Sequence, residues 1–353
     1  MIANADSVYP EVLADARRQV PGFDDHPLAD RTAAVLARGH GCWDSWGAAF
    51  TAHGVAATEH VIDLDPDLVG VPDHADTLII HNIGRFTPAQ LVALRTRFAC
   101  LIGHFSHAAP SDDHLRAFDL CVTAFPHYAR DYAARGFPIR YLPLAFDPRR
   151  LGLDAMGRGR FGDATHADLF LAGDVAKLWD ARKVPVSFVG GLGHPHIWAA
   201  GQSAISSVAE RVPGFAWWGY AGPALTDGLR HTHRGPAWGH VYFARLGDSR
   251  LTLNRHGEVH AGHACNMRLF EATGMGACLL TEAAPNLGTL LAPWEECVPF
   301  GDPNELVTNV RQLLAQPALA AQIAAAGQRR TLKDHTYARR AEVLLEWIRD
   351  VRR

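Results

Sequence analysis

The sequence predicts an α/β protein of two domains, each built on a parallel sheet alternating with helices. Compact apolar runs recur between stretches of helical periodicity, as buried parallel strands do. This series occurs twice, once from residue 59 and again from Val186. The chain is also 353 residues long, beyond the size at which single cores usually stop growing.

In the first series the strand signals are His60 to Leu64, Thr77 to His81, Cys100 to Gly103, Leu120 to Thr123 and Ile139 to Leu142. Helical patterns at Pro88 to Arg97 and His127 to Arg135 separate them. Before them lie Tyr9-Pro10, a polar helical pattern from Glu11 to Gln19 and a loop rich in Asp and Pro, so the first strand is expected to be short or frayed. Residues 1–147 form the expected first domain, and 148–183, where periodicity gives way to Gly, Arg and Asp, an irregular connection.

The second series runs from Val186 to Gly191, a helix at Ile197 to Arg211, strands near Ala216 to Tyr220, Arg250 to Asn254, Ala277 to Thr281 and Cys297 to Phe300. Asp302-Pro303-Asn304-Glu305 reads as a helix start, with a capping Asp, Pro in the first turn and an acidic residue where the helix dipole favours it. Helices at Pro317 to Arg329 and Tyr337 to Arg352 close the chain. The second domain is placed at 184–335, with 336–353 as a C-terminal helix.

Composition excludes several classes. A hydrophobic fraction of 48% and charged fraction of 20% are those of an ordinary globular protein. A formal net charge of -3 argues against nonspecific nucleic-acid binding, so no nucleic-acid partner is expected. The cysteines Cys42, Cys100, Cys121, Cys265, Cys278 and Cys297 are scattered without a CxxC pair, against a disulfide framework or structural zinc. No secretory signal opens the sequence, and no apolar run approaches the ~18 residues of a transmembrane helix. The expectation is a cytoplasmic protein without a transmembrane segment, with peripheral membrane contact left open.

The chemistry concentrates at Asn266 to Thr281 and its approach. Free amides at a helix start near Met267, with Arg268 beside them, fit a diphosphate cradle formed by Asn266, Met267 and Arg268. One turn on, Glu271 lies in an apolar helix, where a carboxylate is costly unless hydrogen-bonded, and fits a pair of ribose hydroxyls. The competing reading is a plain i, i+3 pair between Arg268 and Glu271. A second glycine turn, Val189-Gly190-Gly191-Leu192-Gly193, follows a strand and precedes a helix; Gly191 and Gly193 are either phosphate contacts or parts of a tight turn. No GxGxxG opens the first hundred residues, and P-loop, HExxH and GxSxG motifs are absent. His256, His260 and His263 crowd one loop without the pattern of a zinc site, so no metal is expected. His104 and His107 follow a strand at the sheet edge where acid–base residues belong.

These residues carry a family resemblance. Val186 to Gly191, Leu251 to His256 and above all Asn266-Met267-Arg268-Leu269-Phe270-Glu271-Ala272-Thr273-Gly274, followed by Leu279 to Glu282, resemble the CgeB-like glycosyltransferases, GT-B enzymes similar to glycosyltransferase family 4. Phe125 to His127, Tyr141 to Pro148, Asn286-Leu287 and Ala326 to Tyr337 match as well. The resemblance implies a GT-B fold, two Rossmann-like domains facing across a cleft, with the acceptor on the first domain, a nucleotide-sugar donor on the second and a C-terminal helix that can cross back to the first. It also implies that no metal or other cofactor is needed. Family 4 carries two glutamates separated by seven residues; Glu271 matches the second, the ribose ligand, while the first position is His263 here, so its role does not carry over. Glu258 is the substitute offered by the same loop, with His256 and His263 beside the donor sugar. The N-terminal glycine loop of many GT-B enzymes is missing, with Tyr9-Pro10 near its place.

The expected activity is transfer of a sugar from a nucleoside diphosphate to a hydroxyl of a glycan or small molecule. A retaining course lets the departing phosphate take the proton, whereas an inverting one needs a base, for which His104 and His107 are the candidates. A nucleotide-sugar epimerase or hydrolase of the same fold, and a non-catalytic nucleotide-binding protein, stand as alternatives.

Overall fold

The computed structural model describes residues 1–39, 44–152, 179–193 and 202–353. These form two compact units, Met1–Pro143 with Tyr337–Arg353, and Leu144–Thr336. The expected connection at 148–183 therefore has its middle, 153–178, outside the described residues, as does the start of the helix expected from Ile197.

In the first unit the order is β1 (Ile2–Asp6), α1 (Pro10–Gln19), α2 (Leu28–Leu36), α3 (Ser45–Ala52), β2 (Ala57–Val61), β3 (Thr77–His81), α4 (Pro88–Arg95), β4 (Cys100–Phe105), α5 (Asp112–Arg116), β5 (Leu120–Thr123), α6 (Pro126–Ala134) and β6 (Ile139–Tyr141). The six strands are all parallel, in the order β2-β1-β3-β4-β5-β6. The expected frayed first strand is instead a complete inner strand. Its sequence, Ile-Ala-Asn-Ala-Asp, has little β propensity; pairing on both sides and burial of Ala3 and Ala5 decide its conformation.

In the second unit β7 (Val184–Val189), α7 (Gln202–Arg211), β8 (Phe215–Trp218), α8 (Asp227–Thr232), α9 (His240–Gly247), β9 (Ser249–Asn254), α10 (Arg268–Gly274), β10 (Cys278–Glu282), α11 (Leu287–Leu290), β11 (Val298–Phe300), α12 (Pro303–Ala315) and α13 (Pro317–Asp334) follow. Its five parallel strands are ordered β11-β10-β9-β7-β8. Phe188, Leu251, Leu253 and Leu280 pack on one face with Ile205 and Val208 of α7 and Val307 and Val310 of α12. Val189 and Leu279 pack on the other, with Phe243 of α9 and Leu269 and Phe270 of α10. The cap at Asp302 forms as expected, its carboxylate accepting from the amides of Asn304 at 2.7 Å and Glu305 at 3.0 Å.

Both flanks of the expected connection belong to the second unit's interior. Phe146 is wholly buried, and its amide donates to the carbonyl of His335 at 2.8 Å. Arg182 satisfies its guanidinium on carbonyls of Gly247, Ser249 and Met275 at 2.7 to 2.9 Å. The last helix, α14 (Tyr337–Val351), returns to the first unit. There Tyr337 meets Trp46 of α3 edge-on at 5.3 Å, and His53 donates to the carbonyl of Ala338 at 2.9 Å.

Candidate functional site

In the second unit the strand order reverses between β7 and β9: β8 is added on one side of β7 and β9 on the other. Ligands of open parallel sheets bind at such a switch point, beyond the carboxyl ends of the strands. Gly190 and Gly191 leave β7 there, Arg255 and His256 leave β9, and Glu282 ends β10.

Asn254 is the hub. It is fully buried, and its amide nitrogen donates to Asn266 Oδ1 at 3.2 Å and Thr281 Oγ1 at 2.9 Å. Its carbonyl oxygen accepts from Asn266 Nδ2 at 2.7 Å and Arg268 Nη1 at 3.2 Å. Both polar atoms are thus committed to orienting the residues that precede α10. The backbone amides of Asn266, Met267 and Arg268 make no hydrogen bond to any described residue, as the first amides of a helix do not.

Arg268 stands over the Phe188 ring at 5.0 Å, and its Nε is buried without a hydrogen-bond partner. It pairs with no carboxylate among the described residues. The i, i+3 pair with Glu271 therefore does not form. Glu271, 6% exposed, instead accepts the Tyr242 hydroxyl of α9 on Oε2 at 2.6 Å. Burial raises its pKa; the Tyr242 bond and the charges of Arg268 and Arg150 oppose that rise.

The two glycines differ. Gly191 keeps an unbonded amide among the described residues, while its carbonyl accepts from Arg255 Nη2 at 3.0 Å. Gly193 donates its amide to Gln202 Oε1 at 2.7 Å, so it is removed from the set of free donors. Its φ of +80° and close approach to Gly222 and Leu225 make it a turn residue.

The histidine loop is tied to itself. His256 donates from Nε2 to the Glu282 carbonyl at 3.2 Å, and its backbone amide donates to the Glu282 carboxylate. The ring is therefore the Nε2–H tautomer, and burial pushes its pKa down to about 4. His260 Nδ1 accepts from the Gly257 amide at 3.0 Å, and His263 donates from Nδ1 to the Ala261 carbonyl at 3.1 Å. Glu258 is exposed in the short 3-10 turn Glu258–His260. No group of three His, Cys, Asp or Glu residues able to hold a metal ion occurs among the described residues.

His104 and His107 lie in the first unit. His104 is buried with Nδ1 3.1 Å from His81 Nδ1 and Nε2 3.3 Å from Ser106 Oγ, and burial pushes its pKa down to about 4. Both of its nitrogens are engaged. His107 donates from Nδ1 to the Ala108 carbonyl at 3.0 Å and keeps a buried, unpartnered Nε2.

Sequence reasoning missed Tyr242, Asn254 and Gly190. Tyr242 lies on α9, a helix whose periodicity gave no clear signal. The double glycine after β7 was visible, but only the structure shows Arg268 filling the space above Gly190.

Residues 199–346 match the family model described as glycosyl transferase-like, a stretch of less than half the chain. No curated protein sequence matches the chain. Among solved structures, AviGT4, a glycosyltransferase involved in avilamycin A biosynthesis, matches with TM-score 0.62 at 15% identity, covering 100% of this chain and 98% of that one. HepE of Anabaena in complex with UDP and glucose matches with TM-score 0.58 at 13% identity, over 99% of both chains. Sucrose-phosphate synthase from Thermosynechococcus elongatus gives 0.58 at 14% identity, also over 99% of both. No described helix is long and apolar enough to cross a membrane. At these identities the likeness establishes the fold: the chain is built of two parallel-sheet α/β domains of the GT-B glycosyltransferase type.

Proposed function

We propose that the protein is a glycosyltransferase of the CgeB-like kind, resembling family 4, that moves a sugar from a nucleoside diphosphate to a hydroxyl of a glycan or small molecule. The observation that carries this reading is Arg268, a guanidinium with no carboxylate partner among the described residues, next to three amides that none of those residues bonds and one helical turn before the buried Glu271. Such a place is an anion receptor joined to a diol receptor, which is the outline of a nucleoside diphosphate. The glycosyl transferase-like match over the same stretch supports it, and so does the UDP held by HepE.

In this reading Arg268 and the amides of Asn266, Met267 and Arg268 hold the diphosphate and stabilise the charge that grows on it as the sugar departs. The Gly191 amide adds a donor from beyond the carboxyl end of β7. Glu271 accepts the ribose hydroxyls, and His256, His263 and Glu258 line the loop we assign to the donor sugar. Because protein groups supply the positive charge, the reaction is proposed to be metal-independent, in the cytoplasm. For an inverting course, His107 is preferred to His104 as base, since only His107 retains an unbonded ring nitrogen.

The test is incubation with radiolabelled UDP-, GDP-, ADP- and dTDP-sugars and a panel of hydroxylated acceptors, with and without EDTA. Label transferred in both conditions is the expected result. An isomerised or hydrolysed sugar without transfer, or binding without turnover, overturns it.

A further inference from the structure

The Glu271 carboxylate is held by one side chain from another helix. Tyr242 Oη lies 2.6 Å from Oε2, a short charge-assisted hydrogen bond of the stronger kind. Among the described residues no ion pair forms: Arg268, on its own helix, and Arg150, from the turn Pro148–Leu151, act on the carboxylate only through space. Arg150 lies 3.9 Å from Asp147 and stands over the Phe243 ring. Helix α13 meets α10 through Gln328 and Thr331, and His335 follows its end. His335 donates to the Leu290 carbonyl at 2.8 Å and stacks on Phe270.

A buried carboxylate without a paired cation stays charged only as far as its hydrogen bonds allow. Burial pushes Glu271 toward the neutral form, and the Tyr242 bond is the first force against it. The phenol itself stays protonated, because burial and the neighbouring carboxylate drive its pKa well above the usual value. Tyr242 is therefore a permanent donor to Oε2. A ribose diol also donates, so it needs an ionised acceptor, and the phenol leaves Oε1 as that acceptor.

We infer that Tyr242 is a positioning residue of the nucleotide site, fixing Glu271 as an ionised, oriented acceptor for the ribose hydroxyls of a nucleoside diphosphate. This inference rests on the reading of the site as nucleotide-binding.

The experiment measures UDP binding by calorimetry from mildly acidic to mildly alkaline pH in the native protein, Tyr242→Phe and Glu271→Gln. The native affinity falls on the acid side as Glu271 takes a proton. In Tyr242→Phe that acid limb moves up by about one pH unit, so affinity is roughly tenfold below native near the native limb and approaches it at alkaline pH. Glu271→Gln binds weakly and shows no acid limb. A purely structural Tyr242 would weaken binding equally at every pH, and an unmoved limb in Tyr242→Phe overturns the inference. A second measurement needs no ligand: the infrared band of the protonated carboxyl, assigned by its loss in Glu271→Gln, titrates at higher pH in Tyr242→Phe than in the native protein. Equal midpoints overturn Tyr242 control of Glu271. Failure of the native protein to bind UDP, GDP, ADP or dTDP overturns the nucleotide reading instead, and the infrared midpoints still decide the coupling of the two residues.

Discussion

Arg268 lies across Gly190 so closely that a Cβ there would stand 2.6 Å from its Nη2. Gly190 directly follows β7 and Arg268 opens α10, so the missing side chain at the strand's exit makes room for the cation of another segment. Gly190→Ala is expected to push the guanidinium aside while the fold survives, because the obstructing atom is the end of a flexible side chain. UDP affinity should fall about tenfold, the worth of a displaced charged hydrogen bond of about 1.5 kcal/mol. Calorimetry checks the affinity; unchanged binding would show that Arg268 does not touch the diphosphate.

Asn254 offers a sharper contrast. Its Oδ1 accepts from Arg268 Nη1 at 3.2 Å, so Asn254→Asp puts a carboxylate where a neutral oxygen was. The receptor then carries its own anion. UDP should lose about tenfold or more, while uridine, which lacks phosphates, changes little. Binding of both ligands by calorimetry decides it, and equal losses for the two would place the diphosphate elsewhere.

Glu271→Gln should stabilise the protein while impairing it. Glu271 has a raised pKa in the folded state, so its ionised form opposes folding, and stability falls as pH rises through that pKa. Removing the charge is expected to raise the melting temperature at pH values above the ordinary carboxylate range by a few degrees, for about 1 kcal/mol. The gain should vanish in acid, where native Glu271 is already protonated. Melting curves across pH measure this, and destabilisation at every pH would contradict it.

The His81–His104 pair should make the first unit sensitive to acid. Both rings have lowered pKa values, His104 at about 4, chiefly through burial. A lowered folded pKa means that stability is whole above the unfolded value and is lost as pH falls toward the folded one. Between neutral pH and about 5, His104 alone should cost about 2 kcal/mol. Denaturant unfolding followed through Trp46, which stacks on His81 at 5.7 Å, provides the readout. A transition midpoint that does not move with pH would show that the pair is already open to water.

Most strands from Thr77 onward were legible because they are compact apolar runs, and the helix after Asp302 because its cap is local chemistry. The inner strand Ile2–Asp6 was not, since its small residues become a strand only between two partners. Helices α2, α3, α8 and α9 also gave no clear periodic signal, and with α9 went Tyr242.

The sequence by itself determined two series of parallel strands and singled out the segment Asn266 to Glu271 as the candidate site, because strand burial and helix capping are written in neighbouring residues. Only the tertiary structure decided what that segment faces. Arg268 could have paired with Glu271 along one helix; instead Asn254 and Phe188 hold the cation and Tyr242 holds the carboxylate. Those partners come from β7, α9 and β9, distant in sequence, and they meet because the strand order reverses between β7 and β9.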